Sequence, residues 1–480
     1  MMEDETQKRP TMSRAEMPME RDPHQPESLT PHRFVSRRAA FVLVSLGFAA
    51  AFCWNYITFQ VPALSWFNVY YTPTPLSAWI TAFVIFLLPG VFVPTELIRP
   101  SSFAVLLQYA LVLMPVCFVP MFRQEMPLQH CILLAASFAV AILILLAMNR
   151  APRKVLPITR LRGDVGWTLF AALYLGFNAV VALTGPRWQV VNFLDVYDVV
   201  REQGLAYQNN LYAYAYMNLA WTMNPFLIAT ALARRNYWLA VIASFMEVYL
   251  YGYGGYKSMV FVPFLVIGSY ILVKRFRQPA TKAMLAFLVL IVITTSAYVR
   301  NPFSPLTIAV NSLYDMRTIG MAGQNAAGFD YFAYNYGFTY WSHIKVVNKF
   351  VHYNFKQDVG NEVGLMELGI STQANTGFLA TDGVAALGLA GVILISFVVG
   401  GYFWLVDCAA SGHDSAFAVA AFSVPAFVLV NGGFFTSLLS AGTLLTVLFL
   451  QFMPLVPVNE RHSVEDRAGD AAPAVAWRFE

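Results

Sequence analysis

Runs of sixteen to twenty-five mostly apolar residues recur from one end of the chain to the other, and no other feature constrains its fold as tightly. About 20 such residues in a helix span the roughly 30 Å hydrocarbon core of a bilayer. Lipid offers no partner to an open backbone, so each run is expected to be a helix. A closed barrel would need an apolar–polar alternation that these runs lack. Twelve candidate spans follow: 39–57, 76–95, 102–122, 128–148, 164–184, 211–233, 237–253, 258–273, 281–299, 381–405, 415–431 and 435–456. The seventh and eighth are short and are separated by Gly252, Gly254 and Gly255, so broken or tilted helices are an alternative there. The expected class is an all-α polytopic integral membrane protein.

Composition agrees. Charged residues make up 12% of the 480, against about 25% in soluble domains. The 31 Lys and Arg against 27 Asp and Glu leave a net +4, which excludes a strongly basic nucleic-acid binder and an acidic disordered chain. Cys53, Cys117, Cys131 and Cys408 lie mostly in apolar runs without paired spacing, supporting neither a disulfide framework nor a zinc ribbon.

Five regions are expected: a disordered tail 1–38, spans one to nine over 39–299, a large loop 300–380, spans ten to twelve over 381–456, and a tail 457–480. The first apolar run begins too far into the chain for a cleavable signal peptide. With both termini in the cytoplasm, 22 of the Lys and Arg residues fall inside and 9 outside, the bias of the positive-inside rule. The net +4 then divides into +6 inside and −2 outside, so an anion site on the outer face must be a local cluster of cations.

Two outer loops are long, 185–210 and 300–380. The second carries Tyr314, Tyr331, Tyr334, Tyr336, Tyr340, Trp341 and Tyr353, too aromatic for disorder, and is expected to fold as a small helical cap.

Chargeable residues near spans are the candidates for chemistry. Glu247 lies in the seventh span; it either snorkels to the interface, pairs with Lys257, or serves a site. Asp382, where the large loop enters a span, reads equally as a helix N-terminal carboxylate or a site residue. Lys257 and Ser258 open a helix whose free N–H groups suit phosphate, although the spacing is not that of a P-loop. Arg300 and Arg317 offer the planar fork that matches phosphate oxygens; Arg317 also has Asp315 nearby as an ion-pair partner. His343 and His352 stand nine residues apart. No His-Glu-x-x-His or Asp-x-Asp motif occurs, so neither a metal nor another cofactor is expected.

This layout resembles the O-antigen and exopolysaccharide repeat-unit polymerases, bacterial inner-membrane glycosyltransferases of the Wzy type. The resemblance is sharpest over about 236–405. Gly254-Gly255-Tyr256-Lys257-Ser258 is similar to a glycine-then-basic segment opening a span. Asn375-Thr376-Gly377-Phe378, Asp382-Gly383 and Leu387-Gly388-Leu389-Ala390-Gly391-Val392 resemble the loop-exit segment. Arg317, ten residues and Gly328 match an Arg-x10-Gly pattern. In the loop 185–210 the same pattern fails, since Asp198 and Tyr212 stand where glycine would follow Arg187 and Arg201.

The resemblance implies elongation of undecaprenyl-pyrophosphate-linked oligosaccharide at the periplasmic face, with membrane lipid and a polysaccharide co-polymerase (a chain-length regulator) as further partners. The expected roles are Arg300, Arg317 and Lys257 on pyrophosphate, and His343 or His352 as the base that deprotonates the acceptor hydroxyl, with Glu247 as the rival base. Two alternatives stand beside it. One is an O-antigen ligase, which transfers finished glycan to lipid A core. The other is a transporter or lipid-linked-sugar flippase, which calls for polar residues at mid-membrane depth in several spans.

Overall fold

The computed structural model describes residues 31–156, 158–189, 210–369, 373–374 and 376–456. Every regular element among them is helical. Seven helices are long and apolar enough to cross a membrane: α1 (Arg37–Ala63), α3 (Pro100–Arg123), α4 (Leu128–Asn149), α5 (Gly163–Thr184), α8 (Lys257–Arg275), α9 (Pro279–Arg300) and α12 (Leu379–Ala409). An eighth arises if α14 (Phe434–Ser440) and α15 (Thr443–Phe452), bent by 57°, count as one broken span. The other spans expected from sequence fall on shorter or less apolar helices: α2 (Leu76–Gly90), α6 (210–233), α7 (Tyr237–Gly254) and α13 (Ser415–Asn431).

Local sequence explains many of the ends. Proline occupies the first position of α3 and α9, where its missing N–H would be unpaired anyway. The Asn236 and Asp414 side chains accept from Leu239 N and Phe417 N at the starts of α7 and α13. Gly255 closes α7 with φ of 66°.

The most apolar stretch of α3 is entirely buried, whereas less than a third of each of those of α5, α8 and α9 is. Around α3 the helices pair α12 with α4, α1 with α9, α8 with α13, and α6 with α7. The loop 300–380 contains the long helix α10 (305–336) and the short α11 (Val359–Leu368). α10 lies against the end of α3 and reaches α12; we call this the cap end. The expected helical content of that loop is present. The tail 1–30, most of the loop 185–210 and the tail 457–480 lie outside the described residues.

Five wide, π-helical turns interrupt the described helices: Tyr56–Gln60 in α1, Tyr109–Leu113 in α3, Leu219–Met223 in α6, Ser312–Gly320 in α10 and Leu379–Val384 at the start of α12. The turn in α6 faces the break between α14 and α15. There Thr222 Oγ1 donates to Ala441 O at 3.1 Å or Gly442 O at 2.9 Å, and Asn218 Nδ2 donates to Leu439 O at 3.2 Å. Gly442 has φ of 67°, and a Cβ there would strike the side chains of Thr222 and Asn218. Gly442→Ala is therefore expected to cost about 2–4 kcal/mol from left-handed strain and overpacking. Thermal unfolding of the detergent-solubilised protein checks this; an unchanged transition counts against the packing described.

Candidate functional site

The helices of the cap end bring together residues that the sequence scatters. Asp315, in the wide turn of α10, points inward and is fully buried. Asn55 Nδ2 donates to its Oδ2 at 3.0 Å and Thr294 Oγ1 to its Oδ1 at 3.0 Å. Burial pushes its carboxyl up to about 7, against the pull of those two donors. The expected Asp315–Arg317 ion pair is absent, because residues two apart on a helix do not share a face. Arg317 is exposed while Asp315 is buried.

Beside it, α3 ends in a buried arginine. Arg123 reaches Gln324 Oε1 at 2.8 Å and Glu367 Oε2 at 2.6 Å, also pairs with Glu125, and lies 5.8 Å from the Tyr70 ring. One guanidinium thus joins α3, α10 and α11. Burial raises the Glu367 carboxyl while the Arg123 charge opposes the rise. Gly328 leaves room for this cluster, since a Cβ there would lie 2.6 Å from Glu367 Oε1. His130 Nε2 and Asp330 Oδ2 form a second tie at 2.9 Å, from the start of α4 to α10. A cavity of about 10 Å³, room for one water, lies among Pro120, Glu125, Met126, Cys131, Ala327 and Asp330.

The most organised polar group surrounds His343. After α10, Tyr340 and Trp341 both take positive φ, 49° and 59°, a strained pair for bulky side chains. The segment is pinned to α12, with Thr339 N donating to Ala385 O at 2.8 Å and Tyr340 N to Ala386 O at 3.1 Å. His343 then lies between Thr339 Oγ1, 3.0 Å from its Nδ1, and Asp382 Oδ1, 3.1 Å from its Nε2. The other Asp382 oxygen accepts from Phe434 N at the start of α14, and Trp341 Nε1 donates to Asp382 O at 2.7 Å. With a proton on Nε2 directed at Asp382, Nδ1 keeps its lone pair toward the Thr339 hydroxyl, an oriented imidazole able to take a proton. Asp382 thus meets the first amide of α14, a helix other than its own, and holds His343 at the same time.

The other expected site residues distribute unevenly. Lys257 opens α8 half-buried, and Arg317 is exposed on α10. Arg300 is exposed at the end of α9, and no contact among the described residues joins it to either cation. His352 is exposed on the loop before α11. Glu247 is fully buried and accepts from Asn224 Nδ2 at 2.8 Å; Asn224 in turn accepts from Tyr174 OH at 2.8 Å. Its other oxygen has no hydrogen-bond partner among the described residues. Snorkelling is thereby overturned, and so is pairing with Lys257: the carboxyl is held inside the α5–α6–α7 contact.

Sequence reasoning treated Arg123, Glu125, Asp330 and Glu367 only as charges to be counted and did not single out His130. The available signal was Arg123 closing a long apolar run with Glu125 two residues on. Among the described residues no three His, Cys, Asp or Glu side chains gather as a metal site. No known protein family, curated protein or solved structure matches the chain.

Two stability measurements test this geometry. Asp382→Ala strips a hydrogen bond from both His343 and the buried Phe434 N–H, an expected loss of about 2–4 kcal/mol; unchanged unfolding overturns the connectivity. Asp315, with its native carboxyl raised to about 7, stabilises the fold fully below the unfolded value near 4. That contribution fades as pH rises from about 4 to 7, at up to about 1.4 kcal/mol per pH unit. In Asp315→Asn the amide can donate to Thr294 Oγ1, whose own hydroxyl turns to Leu290 O, 3.0 Å away. Unfolding followed from pH 5 to 8 is expected to decline less steeply in this variant. Parallel profiles would show that Asp315 does not titrate in that window.

Proposed function

We propose that the chain is a twelve-span inner-membrane glycosyltransferase, with both termini cytoplasmic and the cap end periplasmic. It elongates undecaprenyl-pyrophosphate-linked oligosaccharide repeat units. The observation that carries this reading is the His343 imidazole held at the cap end between Asp382 Oδ1 at 3.1 Å and Thr339 Oγ1 at 3.0 Å, an arrangement suited to taking a proton from an acceptor hydroxyl. Lys257 and Arg317 are assigned as the clamp on the pyrophosphate, whose charge each would offset. Arg300, exposed at the end of α9, is the third candidate cation.

In the proposed reaction the acceptor sugar hydroxyl attacks the anomeric carbon of the donor. The carbon–oxygen bond to the lipid pyrophosphate breaks, and that group leaves with the electron pair. Lys257 and Arg317 offset the negative charge that develops there. His343 accepts the hydroxyl proton at Nδ1 once Thr339 has turned aside, and Asp382 stabilises the resulting imidazolium. Exposed Tyr340 beside it offers an aromatic face to a sugar ring. Neither His352, without an orienting carboxylate among its described contacts, nor Glu247, enclosed with Asn224, is assigned as base.

Full-length protein in proteoliposomes, supplied with undecaprenyl-pyrophosphate-linked oligosaccharide, is expected to produce a ladder of longer lipid-linked chains. Arg317→Ala or Lys257→Ala should lower the rate about 10- to 100-fold, as for loss of a charge-assisted contact. His343→Ala should lower it about 10²- to 10⁴-fold, as for loss of a general base. His352→Ala should match wild type. Glycan appearing on lipid A core instead of a ladder would favour the ligase. Donor crossing the bilayer unchanged would favour the flippase. Full elongation in both cation variants would overturn the clamp.

A further inference from the structure

The segment joining α10 to α11 has two faces of opposite character. Its inner face is fixed to the bundle. The Thr339 and Tyr340 amides bond α12, Phe355 lies 4.9 Å from the Phe332 ring and 5.5 Å from Tyr353, and Tyr353 OH donates to Gln357 O at 2.6 Å. Its outer face exposes Tyr340, Val346 and Phe350, the last 86% exposed, with Lys345, Lys349 and Lys356 exposed among them. Against these three lysines stands one acid in the segment, Asp358, exposed just beyond Lys356, so the segment carries a local +2.

The level at which the segment is pinned gives that pattern a meaning. α12 is interrupted at Leu387 and Gly388, whose backbone leaves the helical region, and its regular part then continues to Ala409. Those roughly 20 residues rise about 30 Å at 1.5 Å each, the thickness of a hydrocarbon core. Ala385 and Ala386, which hold Thr339 and Tyr340, immediately precede the break and so lie at the end of that crossing, where headgroups meet acyl chains. Bulky apolar side chains alternating with lysines at that depth are the makings of an interfacial anchor.

We propose that residues 340–356 lie in the outer-leaflet interface, with Val346 and Phe350 entering the acyl boundary and Lys345, Lys349 and Lys356 engaging anionic phospholipid headgroups. The complementarity is electrostatic as well as apolar: each lysine near an anionic surface adds roughly fivefold to partitioning. This does not depend on the chemistry assigned to His343. An anchored segment would hold the strained Tyr340–Trp341 pair, and so the ring of His343, at a fixed height above the bilayer.

The four native cysteines are buried and unpaired, so a cysteine introduced on this face can be labelled selectively. Phe350→Cys and, independently, Val346→Cys carry an environment-sensitive fluorophore in the full-length protein. Each is reconstituted into phosphatidylcholine vesicles with or without half phosphatidylglycerol. Quenching by a lipid bearing a nitroxide high on its acyl chain is expected in the anionic vesicles. It should fall at least about threefold in neutral vesicles, or when Lys345, Lys349 and Lys356 are all changed to Gln. Labels open to aqueous iodide and untouched by nitroxide lipid in both compositions would overturn the anchor. Shielding from both quenchers would overturn it in favour of a protein cover, including a second copy of the chain. Lipid quenching indifferent to the lysines would overturn the headgroup recognition.

Discussion

A backbone group freed inside an apolar bundle must find a partner in the protein, and the irregular parts of this fold are organised around that requirement. The carbonyls released between α14 and α15 are taken by Thr222 and Asn218 from a wide turn in α6. At the opposite end, Arg160 gathers the terminal carbonyls of two helices, reaching Ser411 O and Leu450 O at 2.8 Å each and Met453 O at 3.2 Å. One guanidinium with five donors completes what two helix ends leave unpaired, and its charge suits their dipoles. The amide that opens α14 is met by Asp382. The same side chains that repair the backbone thus lock neighbouring helices together.

Charge at the cap end follows a different logic. Arg123 is surrounded by Glu125, Glu367 and Gln324, so it serves as a buried tie between three helices. Removing one partner of such a cluster leaves another charge stranded, and this is what makes the tie hold α10 and α11 to the bundle. His130 and Asp330 make a second tie, from the start of α4 to α10. Ties between groups of opposite sign thus position the cap.

The helical character was legible in the sequence because apolar runs of spanning length admit few other solutions, and each expected span falls on a helix. The weaker expectations were also the informative ones. The seventh span, with Tyr and Gly at its end, is a helix too polar to qualify as a crossing by length and apolarity alone. Of the candidate site residues, His343 and Asp382 come together although 39 residues apart in the chain, and helical periodicity carries no information about which turns face each other at that range. The Arg123–Glu367 contact, 244 residues apart, lay further still beyond inference. Glu247 was visible as an intramembrane acid, but its partner Asn224 sits on a different helix and has no sequence signature.

Asp382 carries two obligations at once, and this ties the proposed chemistry to the bent span. One carboxylate oxygen orients His343 while the other receives the first amide of α14, so neither contact can change alone. When His343 takes up a proton, its attraction for Asp382 strengthens and draws charge density from the oxygen facing α14. That half-helix is short, and the Thr222 and Asn218 contacts that hold it end at its far side. A proton arriving at the imidazole therefore bears on the one place in the bundle where a helix is already broken, and a carboxylate confined to capping would give it no such reach.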